Sequence, residues 1–210
     1  MSSSKIYIAA MNMRGTWASR PEGSIVLNVT SAQAKDSIYR RDFSPMTMLP
    51  EGYKGFPNFE AYWQSGKIYE GFSEVQRSKQ VSWWKNIKEA QRRYPTAKSS
   101  KSLKVLHSDH HDGVKRDYIT SRKEVYVPEY YNLVTNFGTE SINKNKALIA
   151  QGKSICVYDF DGPRDNEGNP ICLEVTLDML REKINDPKYP FGHGYIVASI
   201  LANIPIESYI

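Results

Sequence analysis

Glu60, Gln64 and Lys67 stand four and then three residues apart, the spacing at which side chains share one face of an α-helix. A carboxylate, an amide and an ammonium would then lie in line, bordered by Phe59, Tyr62, Trp63 and Gly66. Such a stripe offers a proton acceptor, a hydrogen-bonding group and a cation together. Surface helices carry the same three residue types, so spacing alone leaves a solvated face as the plain alternative. A second acidic candidate, Asp161, lies in Tyr158-Asp159-Phe160-Asp161-Gly162, although Asp-Gly is also an ordinary turn pair. Phe191-Gly192-His193-Gly194-Tyr195 puts two glycines at an expected helix start. Close backbone approach there would let an anion sit, with His193 as a ligand contact or acid. His107, His110 and His111 with Asp109 and Asp112 are metal-capable. No second cluster at zinc-finger or zincin spacing accompanies them, so no metal is expected, and their Ser/Lys-rich surroundings read as a flexible loop. No Walker A, G-x-G-x-x-G or G-x-S-x-G pattern occurs.

These residues need elements to hold them. Residues 5–10 and 24–30 are rich in Ile, Val and Tyr and are punctuated by Pro21-Glu22-Gly23, which predicts two strands. Residues 45–57, with three prolines and two glycines, read as a loop. Asn58 then has N-cap chemistry. Phe59, Tyr62 and Trp63 recur at helical spacing, and the helix is expected to end near Gly71. Further helices are expected over 82–93, stopped by Pro95, over 128–137, opened by proline, over 173–184, and over the very apolar 192–203. Residues 154–160 form a β-prone run ended by Gly162-Pro163. The expected fold is α+β: one mostly helical domain over 1–210 with a small sheet, a β extension over 1–38 and a flexible loop over 98–115.

The chain has 210 residues, 40% apolar and 24% charged, which excludes global disorder and allows a sizeable core. No apolar run approaches the roughly 18–20 residues that span a bilayer. The N-terminus lacks signal-peptide character, so a cytoplasmic protein without a membrane partner is expected. Cys156 and Cys172 read as two reduced thiols rather than a disulfide scaffold. The net charge of +5 is unevenly spread: residues 77–104 hold nine Lys/Arg and one acid, and residues 157–188 hold eight acids and four bases. Such a field attracts phosphate to one side of a molecule, unless the basic run is a solvated helix face.

The 43–67 stretch resembles the signature of the NADAR superfamily, which has a Phe-Ser element, a loop, and a helix reading aromatic-Pro-x-x-Glu-His-Tyr-aromatic-Gln-x-x-Lys. Phe43, Ser44, Phe56, Pro57, Glu60, Tyr62, Trp63, Gln64 and Lys67 match, and Ala61 replaces the usual histidine. Glu89-Ala90-Gln91-Arg92-Arg93-Tyr94 echoes the family's next helical element, Tyr158 to Gly162 stands where its Trp-Gly-Asp-Gly turn falls, and residues 192–201 stand for its last helix. The match covers about 30 residues and marks a divergent branch, of a viral or phage kind. It implies an N-glycosidase that hydrolyses the C1′–N bond of an ADP-ribose or ribose-phosphate conjugate, such as ADP-ribosyl-guanine or an intermediate resembling those of riboflavin synthesis. No cofactor is implied. A nucleic acid carrying the modification is a further candidate partner, from the basic stripe.

That reaction builds positive charge on the sugar. On this resemblance Glu60 stabilises that charge and takes a proton from the attacking water, and Asp161 holds ribose hydroxyls or positions the water. Trp63, Phe43 or Phe160 would stack on the base. Lys67, Arg92 and Arg93 would bind phosphate. Ser44, Gln64, Gly162 and His193 complete the candidate substrate contacts. Two other classes remain. One is a non-catalytic nucleotide or single-stranded nucleic-acid binder using the basic stripe with Trp83, Trp84 and Tyr94. The other is a nucleoside deoxyribosyltransferase-like enzyme, hinted at by the opening strand at 5–9.

Overall fold

The computed structural model describes residues 4–12, 15–95 and 103–210, so Ser99-Ser100-Lys101-Ser102, the one biased tract in the sequence, lies outside the described residues. The fold is α+β, as expected. The chain divides into two compact units, Met1–Ser44 with Arg122–Ile210 and Pro45–Ser121.

The first unit is built on a four-stranded sheet in the order β2-β5-β1-β6. Strands β1 (Ile6–Ala9), β2 (Ile25–Asn28) and β5 (Ile155–Tyr158) run parallel, and β6 (Cys172–Glu174) runs antiparallel to β1. Every residue of β5 is buried, which accounts for its unbroken Ile-Cys-Val-Tyr run: a central parallel strand is covered on both faces. The 1–38 segment is no appendage, because β1 lies between β5 and β6 in the middle of this sheet. Helix α8 (His193–Leu201) is buried along its whole length and packs on β1, β5, α5 (Val127–Phe137) and α6 (Thr139–Ala150). A helix apolar all round belongs inside a core.

Helix α7 is Leu177–Asn185, capped by the Thr176 hydroxyl. The helix expected over 173–184 begins later because Cys172, Leu173 and Glu174 pair with Ala9, Ile8 and Tyr7. Helix α5 has its expected proline in the first turn. One π-helical turn, Arg122–Tyr126, leads into it. Helix α1 (Ile38–Phe43) was not foreseen. It is six residues long and capped by Ser37.

In the second unit Asn58 caps helix α2 (Phe59–Ser65), its Oδ1 accepting from the Ala61 amide at 2.8 Å. The helix stops at Gly66 rather than near Gly71, and Lys67–Tyr69 form β3, paired antiparallel with β4 (Val105–Ser108). Strand β4 therefore runs through the segment expected to be a flexible loop. Helix α3 is Glu74–Lys85, not 82–93. A reciprocal capping box between Ser73 and Gln76 sets its start. Only Gln80 and Trp84 on it are buried, so its apolar periodicity is faint. Helix α4 (Tyr118–Ser121) closes the unit.

Gly66 marks the end of α2 for a packing reason. A Cβ there would lie 2.2 Å from Nδ1 of His110. Gly66→Ala is expected to destabilise the protein by about 1–3 kcal/mol through overpacking, read as a lower urea midpoint. A midpoint unchanged from the wild type would show that the imidazole moves aside freely.

Candidate functional site

The expected site residues fall in both units. Glu60, Trp63, Gln64, Lys67, Arg92 and Arg93 belong to the second, and Phe43, Ser44, Phe160, Asp161, Gly162 and His193 to the first.

In the second unit, Glu60 and Gln64 share a face of α2, as their spacing required. Gln64 Nε2 donates to Glu60 Oε1 at 2.7 Å, and both side chains are half-exposed. The Glu60 amide is held by the Pro45 carbonyl at 2.9 Å. Lys67 does not continue that face. It opens β3, paired with Ser108, and its carbonyl accepts from Arg77 Nη1 and Gln80 Nε2 at 3.3 Å each. Gly66 breaks the helical register first, so the third member of the expected stripe is set by strand geometry. Arg92 and Arg93 are exposed on bends outside any helix. Arg77, the first residue of the basic stripe, turns inward: it donates to the carbonyls of Ser65 and Lys67 and to Gln80 Oε1. It thereby satisfies a carbonyl that the end of α2 leaves open. Trp84 is fully buried and offers nothing to a nucleic-acid base.

Trp63 is 7% exposed, and the His110 ring lies on it at 4.8 Å and 9°. One face of the indole is thus covered, and the ring is left with little surface for a base. His111, at φ 69°, stacks on Phe56 at 5.2 Å. Its Nε2 is 2.8 Å from Ser65 Oγ. That hydroxyl already donates to the Tyr62 carbonyl, so Nε2 of His111 carries the proton and donates. The 109–111 segment is thus packed onto α2. Among the described residues, no group of three or more His, Cys, Asp and Glu is placed to hold a metal ion.

His110 is 4% exposed, and neither ring nitrogen has a hydrogen-bond partner. Burial, then the nearby Arg116 charge, holds its pKa down at about 4. The folded state therefore resists protonation that the unfolded chain accepts near pH 6.5. Stability should be complete above that value and decline as the pH falls toward 4, by on the order of 3 kcal/mol. Chemical denaturation across this range tests the expectation. His110→Phe keeps a ring against Trp63 and should flatten the profile, and an unchanged slope would assign the effect to other groups.

In the first unit, Phe43 is completely buried, its ring parallel to Tyr39 at 6.0 Å and its carbonyl accepting from the Tyr130 hydroxyl at 2.6 Å. It is a core residue, and no base reaches it. Ser44 is the buried C-cap of α1. Asp42 beside them is also buried and accepts from Ser141 Oγ and Arg41 Nε, each at 2.6 Å.

The carboxyl end of β5 carries a buried polar arrangement centred on a residue not singled out from the sequence. Asp159, 1% exposed, accepts from the Gly194 amide at 2.6 Å through Oδ2 and from the Asp161 amide at 3.2 Å through Oδ1. His193 Nδ1 lies 3.5 Å from Oδ2, and its Nε2 donates to the Val29 carbonyl at 2.9 Å. Both nitrogens of His193 thus face protein groups. A Cβ on Gly192 would sit 2.4 Å from Asp159 Oδ2, and one on Gly194 2.5 Å from its Cβ. The two glycines make room for Asp159, which fills the position expected for a bound anion. The available signal was an acidic residue directly after a wholly apolar strand.

Asp161 is exposed and Phe160 half-buried. Trp17 lies nearly parallel to Phe160 at 5.8 Å and to Tyr158 at 4.2 Å. Gly162 is packed flush, since its Cβ would stand 3.0 Å from the backbone of Ala9 and Ala10. Asp161 thus stands beyond the carboxyl ends of parallel strands, the edge at which open α/β sheets hold their ligands.

Compared with known proteins, the chain matches no family profile, no curated protein and no solved structure. Among the described residues no helix is long and apolar enough to cross a membrane.

Proposed function

We propose that this protein is an N-glycosidase of NADAR type that hydrolyses the C1′–N bond of an ADP-ribose or ribose-phosphate conjugate. The observation that supports this most is the half-exposed Glu60 carboxylate, oriented by the Gln64 amide at 2.7 Å. A carboxylate held in this way is the group that, when ionised, stabilises an oxocarbenium-like sugar and accepts a proton from water. In the reaction the C1′–N bond breaks, the water oxygen joins C1′ and keeps one proton, and the other passes by way of Glu60 to the departing nitrogen, which returns the carboxylate to its starting form. Asp161 belongs to the other unit, exposed beyond the carboxyl ends of its parallel strands, and its part in the reaction is tested separately.

The direct test is incubation of the protein with DNA bearing ADP-ribosylated guanine, and separately with the free ADP-ribosyl nucleoside, followed by detection of released ADP-ribose. Release is expected, and its absence from both substrates overturns the reading. Faster release from the DNA would support a nucleic-acid scaffold, and equal rates would remove it. Asp161→Asn should weaken substrate binding or slow turnover. Kinetics equal to the wild type would take Asp161 out of the proposed reaction.

A further inference from the structure

The net charge of +5 belongs to one of the two units. The first holds 15 Lys/Arg and 15 Asp/Glu, and the second holds 13 and 8. In the second unit, helix α3 buries only Gln80 and Trp84, so its packing calls for one tryptophan. Trp83 stands beside it, half-buried at the rim. The Tyr94 ring lies 5.4 Å from Trp83 at 85°, and Phe72 lies 6.3 Å from Tyr94 at 72°. Both are half-buried as well. The further contacts of this row, Trp83 with Trp84 at 80° and Phe72 with Tyr69 at 57°, are also steep, unlike the parallel cover of Trp63 by His110. Trp84 and Ile87, both buried, anchor the end of α3 on either side of Trp83. The row is therefore formed before anything binds to it, which lowers the ordering cost of binding.

Cations flank the row. Lys79 lies one turn before Trp83 on the same side of α3, and Arg92 and Arg93 lead directly into Tyr94. All three are exposed. Lys79 and Arg93 take part in no ion pair among the described residues, and Glu89 is the one acid between residues 77 and 104. Half-exposed rings beside such cations match the two parts of an unpaired nucleotide strand. Its bases stack on aromatic rings whatever their identity, and its phosphates are drawn to Lys and Arg. A duplex keeps its base faces covered by neighbouring bases, and an acidic peptide would engage the cations without the rings. We infer that Phe72, Trp83 and Tyr94 with Lys79, Arg92 and Arg93 form a binding surface for single-stranded nucleic acid, with little preference for sequence. The surface does not rest on the reaction proposed at Glu60.

The test is fluorescence anisotropy of a labelled oligothymidylate titrated with the full chain. The probe carries no ADP-ribose, so failure to bind it and failure to hydrolyse the conjugate are separate results. Binding is expected to weaken with salt at a log–log slope of about −2, three phosphate contacts at about −0.7 each. Trp83→Ala should weaken it by roughly 5- to 150-fold, the range for one stacked base, and Trp83→Phe, which keeps a ring, should restore most of that loss. Arg93→Glu should weaken binding with the denaturation midpoint unchanged, which keeps the test decisive if Trp83→Ala folds poorly. No binding by the wild type, binding indifferent to salt, or wild-type affinity in Trp83→Ala or Arg93→Glu would each overturn the proposal. So would a duplex of the same length, or polyglutamate, held as tightly as the single strand.

Discussion

Replacing Arg122 with alanine is expected to destabilise the protein by at least about 3 kcal/mol. Arg122 is 1% exposed at the start of the π-helical turn. Its Nη1 donates to the carbonyls of Ile184 and Asp186 at 3.3 and 2.8 Å, and its Nη2 to Tyr189 at 2.6 Å. Ile184 belongs to the last turn of α7, whose carbonyls have no partner within the helix. One planar fork therefore closes a helix end and the loop that follows it, a task that suits guanidinium and not ammonium. Each buried carbonyl left without its donor loses about 1–3 kcal/mol, and the removed side chain leaves a cavity. Lifting a charge out of the interior offsets part of that loss. Arg122→Lys should fall between alanine and wild type. Equilibrium denaturation decides the matter: a loss under about 1 kcal/mol for the alanine variant would show that water takes over the three carbonyls.

The second large effect concerns Glu60→Gln. The replacement keeps the size of the side chain and its place on α2 but removes the charge and the proton-accepting oxygen. If Glu60 is the base, turnover of the ADP-ribosyl substrate falls by at least ~10²-fold, the lower end for a general base, while the denaturation midpoint shifts little. The loss should appear in kcat, because the developing sugar cation exists only in the transition state. A variant that turns over at the wild-type rate removes Glu60 from the mechanism. Loss of activity with loss of fold would be separated by Glu60→Asp, which restores the charge one methylene shorter.

Much of the architecture was written in local chemistry. Asn58 as a cap, Pro128 in a first turn, the β-prone run over 154–160 and the very apolar last helix each state their structure within a few residues. Long-range pairing was not legible. Lys67 looked like the next turn of a helix because nothing nearby announces that 67–69 will pair with 105–108, or that His110 will claim the space at Gly66. Helix α3 was misplaced because its capping box is clear but its buried face amounts to two residues. At the candidate site, the Glu60–Gln64 contact follows from spacing. The burial of Phe43 and the covered face of Trp63 depend on partners far along the chain, and Asp159 gains its importance only when α8 comes to rest against β5.

The tether on Asp159 carries a consequence for experiments in solution. Phosphate or sulfate approaching the first turn of α8 meets a rival that never diffuses away. A helix end of this kind favours an anion by about 0.3–1 kcal/mol when exposed, too little for a dilute ion to outcompete a covalently attached carboxylate already 2.6 Å from the Gly194 amide. The electrostatic balance there is inherited with the polypeptide, and exchanging one buffer anion for another leaves it unaltered.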